Sequence, residues 1–218
     1  MTNIEIRWHG HSYFTVKHEG YTIALDPHDG GSLNLPETRV AADAVLVTHN
    51  HYDHNAVEMV TTKRVVKWRR GEFELGPLLV RGLPSYHDKS RGQLRGDNTI
   101  YIVDASGLKL AHLGDIGHLP GEDLLEKLRG MHIIMIPVGG VYTIDAHEAW
   151  ELIQLVEPPL VIPMHFWTPY STLPLDPLDR FLSISKARRL RLENRLLKIT
   201  RDELPEKTTV VVMPPPVT

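Results

Sequence analysis

Residues 48–55 read Thr-His-Asn-His-Tyr-Asp-His-Asn and follow directly on the apolar run Ala44-Val45-Leu46-Val47. A short run of small and β-branched residues reads as a buried strand. Its far end carries three imidazoles and a carboxylate between His49 and His54, so the strand has to stop where a sheet edge meets solvent. His49 and His51, two residues apart, can grip one ion, and Asp53 with His54 can serve a second beside it. A structural zinc site closes its ligand shell, whereas a hydrolytic one keeps a position for water. A lone His-x-His is commonly a polar turn. HxHxDH immediately behind an apolar strand reads as a metal motif.

The rest of the composition agrees with a metal-centred reading and excludes several others. The chain has 218 residues, 13 of them histidine, and no cysteine. Disulfides, iron–sulfur clusters, thiolate nucleophiles and cysteine-type structural zinc are therefore out. The 24 basic residues against 27 acidic ones give no global pull toward nucleic acid or an anionic membrane. No apolar run approaches the ~20 residues of a membrane span, and the opening MTNIEIRWHGH lacks the pattern of a signal peptide. The expectation is a single cytoplasmic domain over 1–218, since roughly 100–200 residues make one domain.

Along the chain, IEIRWHG, SYFTVKH and YTIALDP alternate apolar and polar residues and predict three antiparallel strands joined by tight turns. Further strands are expected at Ala44–Thr48, Val65–Trp68, Glu72–Leu75 and Leu78–Leu83, then a hairpin of Thr99–Val103 and Leu108–His112. Asp88–Asp97, polar and rich in Gly and Arg, reads as a loop. The rhythm then changes. Glu122–Leu128 has helical spacing with Gly130 as its stop, and Ala146–Val156 has Asp145 and Glu148 placed for a capping box. Ile133–Pro137 and Leu160–Pro163 read as buried strands, Pro174–Leu190 as helical, and Leu196–Thr200 and Thr208–Met213 as extended. Strand meanders followed by helix–strand alternation imply an α/β (α+β) chain with two sheets and helices outside.

Three more ligand-type residues share one topological place. His87 follows the strand ending Leu83-Pro84-Ser85-Tyr86, Asp115 follows LKLAHLG, and His165 follows LVIPM. Taken with THNHYDHN, GDIGH and IPMHF, this order of residues resembles the metallo-β-lactamase superfamily. The opening WHGHSYFTV and the segment PVGGVYTIDAHEAWELI resemble its ascorbate-phosphate-lactonase-like branch of small metal-dependent hydrolases. The resemblance runs from about residue 4 to 170. It implies a four-layer αββα sandwich with a dinuclear site at one edge. By position it implies that His49, His51 and His87 hold one metal, that Asp53, His54 and His165 hold the other, and that Asp115 bridges them. Asp26, in LDP at a strand end, resembles the superfamily's aspartate that orients one imidazole of the HxH pair; a plain turn aspartate is the alternative reading.

Two divalent ions about 3.5–4 Å apart can share a water, lower its pKa and hold the hydroxide as nucleophile. No serine in a GxSxG setting competes for that role. The expected reaction is hydrolysis of a small anionic ester, a phosphodiester or a lactone, with two divalent ions as cofactors: Zn²⁺, or alternatively Mn²⁺ or Fe²⁺. Asp53 or a nearby histidine would pass the proton to the leaving group. His11 and His118 sit near site-edge segments as candidate substrate contacts, and Arg91 and Arg95, with Lys89, are candidates for an anion clamp. His9, His18, His28, His112, His132 and His147 read as structural. The basic run Lys186–Arg201 reads as a solvated helix face. A small-molecule partner is expected, with nucleic acid disfavoured, no membrane, and a homo-oligomer left open. The competing readings are a nuclease of the same superfamily, an oxygen-reducing diiron protein and a non-catalytic metal-binding protein. The diiron reading fits poorly, because that branch has a carboxylate where His51 stands.

Overall fold

The computed structural model describes residues 3–169 and 171–216. The predicted opening meander is present as β1 (Ile4–Gly10), β2 (Tyr13–His18) and β3 (Tyr21–Leu25), paired antiparallel. After an irregular excursion come β4 (Val40–Ala41), β5 (Ala44–Val47), β6 (Val60–Thr61) and β7 (Val65–Lys67). The next run is a meander of β8 (Gly71–Leu75), β9 (Leu78–Tyr86), β10 (Asp97–Ala105) and β11 (Leu108–His112). Helix–strand alternation then begins with α1 (Glu122–Leu128), β12 (Ile133–Pro137), α2 (Ala146–Val156) and β13 (Leu160–Met164). The chain ends with α3 (Leu178–Ile184), β14 (Arg188–Arg191), β15 (Leu196–Ile199) and β16 (Thr209–Val212).

These strands build a six-stranded sheet in the order β15-β1-β2-β3-β5-β7 and an eight-stranded sheet in the order β14-β16-β13-β12-β11-β10-β9-β8. The period of two in each strand decides which side chains meet between the sheets. Ile4, Ile6, Trp8, Ile23, Leu25 and Leu46 join Phe73, Val80, Tyr101 and Leu110 in one continuous core. The opposite face of the six-stranded sheet carries Tyr13, Ala24 and Val45, covered by Val40 and Val60 of the small β4–β6 sheet and by Val57 of the turn before β6. Among the described residues α2 packs against α1 and α3, and the helices contribute Leu125, Leu128, Leu152, Ile153, Phe181 and Leu182 to the main core. The architecture is the αββα sandwich, with the outer layer of the six-stranded sheet reduced to a short ribbon and a 3₁₀ turn at Val57–Met59.

Helix α2 begins as its sequence predicts. The Asp145 carboxylate accepts from the backbone N–H of His147 and Glu148 at 2.9 Å, and the Glu148 carboxylate accepts from Asp145 N–H at 3.1 Å. Its inward face is Ala146, Ala149, Leu152, Ile153 and Val156. Among the described residues no helix is long and apolar enough to cross a membrane.

The expected helix over Pro174–Leu190 needs correction. Pro177 instead makes a bridge with Trp167, and the helix starts only at Leu178 and stops at Ser185. Pro177 lacks an N–H and sits in extended backbone as the N-cap. Residues 188–191 then pair in parallel with β16, a partner some twenty residues downstream that no local pattern announces. The basic run is accordingly an exposed strand edge and the strand β15, not a helix face.

Candidate metal centre

Six strands deliver the candidate residues, and all deliver them at their C-terminal ends. β1, β3 and β5 run in one direction within the first sheet and lead to His11, Asp26 and the 48–55 turn. β9, β11 and β13 run alike within the second and lead to His87, Asp115 and His165. Three of these residues take left-handed backbone: His11 at φ 49°, Asp26 at φ 46° and His165 at φ 51°. Non-glycine residues hold such backbone at a cost of order 1–3 kcal/mol, and they concentrate where surrounding structure imposes a geometry. Gly114 at φ 55° has the opposite role: a Cβ there would lie 2.3 Å from Asn98 Oδ1, so only glycine lets β11 turn into Asp115.

The structure brings together every residue of the HxHxDH run with His87, Asp115 and His165. Ligand atoms of His49, His51 and His87 lie within 4.8 Å of one another, and so do those of Asp53, His54, His165 and His11. Asp115 stands between the two groups. Its Oδ2 is 3.1 Å from His165 Nε2, 3.2 Å from His87 Nε2 and 3.8 Å from His49 Nε2, and its Oδ1 is 3.2 Å from His54 Nε2. His11, a candidate substrate contact in the sequence, is buried with its Nε2 3.1 Å from Asp53 Oδ2, a pairing the sequence did not announce.

Behind the imidazoles lies a relay that fixes their tautomers. Asp26 is fully buried and accepts three hydrogen bonds: from Thr48 N–H at 2.8 Å, from Thr48 Oγ1–H at 2.6 Å and from His54 Nδ1–H at 2.9 Å. Since the Thr48 hydroxyl spends its proton on Asp26, its oxygen accepts from His49 Nδ1–H at 2.9 Å. Both imidazoles therefore carry a proton on Nδ1 and turn Nε2, the nitrogen a metal would take, toward Asp115. Asp26 thus touches His54 directly and reaches the HxH pair only through Thr48, a shift from the expectation that it serves His49 or His51 itself.

His49 Nε2, His54 Nε2, His165 Nε2 and Asp115 Oδ1 are buried and make no hydrogen bond within the protein. Each such group costs about 1–3 kcal/mol if left unpaired. Bare imidazole nitrogens and carboxylate oxygens converging on one point form a donor set suited to Zn²⁺, Mn²⁺ or Fe²⁺. The electrostatics agree. Burial disfavours a charge on His54, yet the Asp115 and Asp53 carboxylates hold it well above the usual imidazole range. That same negative field favours any cation placed among them. His49, which burial and the neighbouring His54 charge act on together, falls well below the ordinary range. Burial also pushes His11 down to about 3 despite its bond to Asp53.

The residues floor a cavity of about 360 Å³, with His51, Asp53, His87, Asp115 and His165 at its base and Tyr52, Leu94, Arg95, Tyr142 and Leu173 in its walls. Of the three cations in the loop after His87, only Arg95 reaches it, its guanidinium 5.1 Å from the Tyr142 ring centre. The Asp88 carboxylate, accepting from the N–H groups of Ser90, Gly92, Leu94 and Arg95, sets the loop's shape. Arg91, at φ 57°, is exposed and lines none of the cavity, and Lys89 is paired with Glu148 at 2.5 Å. His118 also stands apart. Its Nε2 accepts from Tyr86 N–H and its Nδ1 donates to the Leu119 carbonyl, so both nitrogens serve the backbone beside His87.

Most histidines read as structural are bonded accordingly: His9 to Thr15, His18 to Ser106, His112 to the Ser12 carbonyl, and His132 to Lys109 N–H. Sequence reading passed over Asn98. Its amide donates to Ser85 Oγ and the Leu113 carbonyl and accepts from Asp115 N–H, tying the ends of β9, β10 and β11 together. Its one local signal is a buried polar residue opening an apolar strand. Tyr142 was also missed; it follows Val141, a β-branched residue at φ 61°.

Comparison with known proteins places these features. Residues 5–165 match the model of the beta-lactamase superfamily domain. A UPF0173 metal-dependent hydrolase of Thermoplasma volcanium is 29% identical over 213 residues, covering 85% of this chain and 92% of its own. A UPF0173 protein of Pyrococcus furiosus is 30% identical over 190 residues, covering 76% of this chain and 84% of its own. Among solved structures, a protein of Thermotoga maritima described as a Zn-dependent hydrolase of the metallo-beta-lactamase superfamily superposes with a TM-score of 0.80 at 32% identity. The match covers 96% of this chain and 98% of that one.

Proposed function

The chain belongs to the beta-lactamase superfamily, and from that premise we propose that it is a metal-dependent hydrolase of a small anionic ester, a phosphodiester or a lactone. The observation that carries this reading is Asp115, whose two oxygens reach both imidazole groups at the floor of an open cavity. His49, His51 and His87 would hold one divalent ion, and Asp53, His54 and His165 the other, with Asp115 shared. Such ions, when bound, supply Lewis acidity and an activated water.

The protein's own groups do the rest. The Asp26–Thr48 relay keeps His49 and His54 in the ligating tautomer. Asp53, oriented by the His11 N–H on its Oδ2, lines the cavity and is placed to pass a proton to the leaving oxygen. Arg95 and Tyr142 form the wall that meets the substrate's charge, with Leu94 and Leu173 narrowing water's access.

The test is metal analysis of the purified protein followed by a screen of phosphodiesters, phosphomonoesters, lactones and thioesters. Chelation should abolish turnover, and Zn²⁺, Mn²⁺ or Fe²⁺ should restore it. Activity that survives complete demetallation would overturn the reading.

The loop geometry adds a contrast between two arginines. Arg95→Ala should raise KM for an anionic ester roughly tenfold, the size of one charge-assisted hydrogen bond, with metal content unchanged. Arg91→Ala, an exposed side chain outside the cavity, should leave kcat and KM as they are. Equal effects of the two, read in steady-state kinetics, would remove the clamp from the argument.

A further inference from the structure

Beside the cavity lies a second groove of about 470 Å³, and the two share His51 and Arg95. Its other walls include Asn50, Trp68, Arg70 and Asp97. Trp68 is 44% exposed. A single exposed tryptophan is ordinary on a protein surface, but this one is held in an unusual way. Its backbone is left-handed at φ 41°, and its N–H donates to the Val47 carbonyl at 2.8 Å. Val47 is the last residue of β5, the strand that carries the 48–55 turn. The next residue is pinned as well, Arg69 N–H donating to the Tyr101 hydroxyl at 3.0 Å. The same strand end therefore sets the positions of the indole and of the metal-ligand candidates. Positive charge surrounds the ring: the Lys67 ammonium is 5.9 Å from its centre, and Arg70 and Arg95 line the groove. Asp97 offsets only part of this, through its 2.7 Å pair with Arg70.

An aromatic platform, guanidinium groups and an amide at the mouth of a hydrolytic cavity match one kind of ligand. A heteroaromatic base stacks favourably on tryptophan, guanidinium forks suit phosphate oxygens, and the Asn50 amide suits a polar ring edge. We propose that this groove is a subsite for the non-reacting part of the substrate, and that the substrate is a nucleoside phosphate. Its base lies on Trp68, its phosphate is directed by Arg95, and its ester reaches past His51 into the neighbouring cavity. The proposal rests on the hydrolase reading of that cavity and narrows its substrate class. Two adjoining spaces of this size suit a molecule of nucleotide dimensions.

The experiment measures binding without turnover. Purified protein with its native metal content is titrated calorimetrically with the four ribonucleoside 5′-monophosphates and with ribose 5-phosphate. At least one nucleotide should bind tenfold or more tightly than ribose 5-phosphate. Trp68→Leu should erase that difference while leaving ribose 5-phosphate affinity unchanged, and Trp68→Phe should keep most of it. Circular dichroism checks that both variants fold. Should Trp68→Leu fail to fold, Trp68→Phe and Arg70→Ala carry the test, the first retaining the preference and the second weakening every nucleotide. Equal binding of nucleotides and ribose 5-phosphate by the unmodified protein would overturn the subsite and leave the hydrolase reading intact. A base-dependent preference in a protein that hydrolyses no ester would do the reverse. Binding confined to single-stranded oligonucleotides, with none to mononucleotides, would also overturn it.

Discussion

Asp115→Asn is expected to fold and yet to lose a hundredfold or more in kcat, together with part of its bound metal. The carboxylate is buried and surrounded by the Nε2 atoms of His54, His87 and His165 at 3.1–3.2 Å, with His49 at 3.8 Å. Burial opposes its charge, but His165 and His54 hold its pKa well below the usual carboxylate range. It is thus an anion throughout the working pH range, and its two oxygens stand against both imidazole groups. Asparagine keeps the size and keeps the backbone N–H bond to Asn98. It removes the negative charge and points an NH₂ at nitrogens that need lone-pair freedom. Changes one shell further out typically cost 10–100-fold in metal affinity or activity; a shared central anion should cost at least the upper end. Metal content by elemental analysis and kcat on any hydrolysed ester decide the matter. Turnover near that of the unmodified protein would remove Asp115 from the machinery.

What the sequence made legible has a common property: the information was local. The 48–55 run lies on one strand end, and His87, Asp115 and His165 each follow an apolar run, so placing a residue at a strand terminus required nothing from the rest of the chain. The capping box of α2 is equally local, three residues wide. What stayed hidden depends on partners distant in sequence. His11 meets Asp53 across 42 residues, and nothing in WHGHS announces it. Asn98 gains meaning only when β9, β10 and β11 are already side by side. Arg91 and Arg95 look equivalent in the sequence. The four N–H bonds to Asp88 and the left-handed turn at Arg91 separate them, sending one outward and one over Tyr142. The 174–190 segment failed for the same reason. Its helical spacing was real over seven residues, but Pro177 and the non-local pairing of β14 with β16 claimed the remainder.

Asp26 should produce two separable losses, because it does two things with the same oxygens. Asp26→Ala strands three buried donors at once: Thr48 N–H, Thr48 Oγ1–H and His54 Nδ1–H. At about 1–3 kcal/mol per unpaired group the three together amount to roughly 3–9 kcal/mol, a large share of a typical 5–15 kcal/mol stability. A chain of this size loses about 2–4 °C in Tm per kcal/mol, so a fall of roughly 10 °C or more is expected. Alanine at φ 46° adds strain that aspartate and asparagine tolerate better. Asp26→Asn behaves differently. Its remaining oxygen can still take Thr48 N–H, and its conformational preference suits the turn, so melting should shift far less. Its NH₂, however, now faces Thr48 Oγ1 and His54 Nδ1, where the carboxylate oxygen stood. The threonine hydroxyl becomes an acceptor on that side and donates instead to His49 Nδ1. His49 must then carry its proton on Nε2, and His54, facing a donor, must do the same. One oxygen exchanged for one NH₂ thereby puts protons on the two nitrogens that would hold metal. Metal affinity should fall 10–100-fold in a protein that melts close to the unmodified one, measured by metal titration beside thermal unfolding. Imidazole ¹⁵N chemical shifts would report the tautomers directly. If Asp26→Asn binds metal normally with both protons still on Nδ1, the aspartate is a turn residue and the relay through Thr48 has no part in the site.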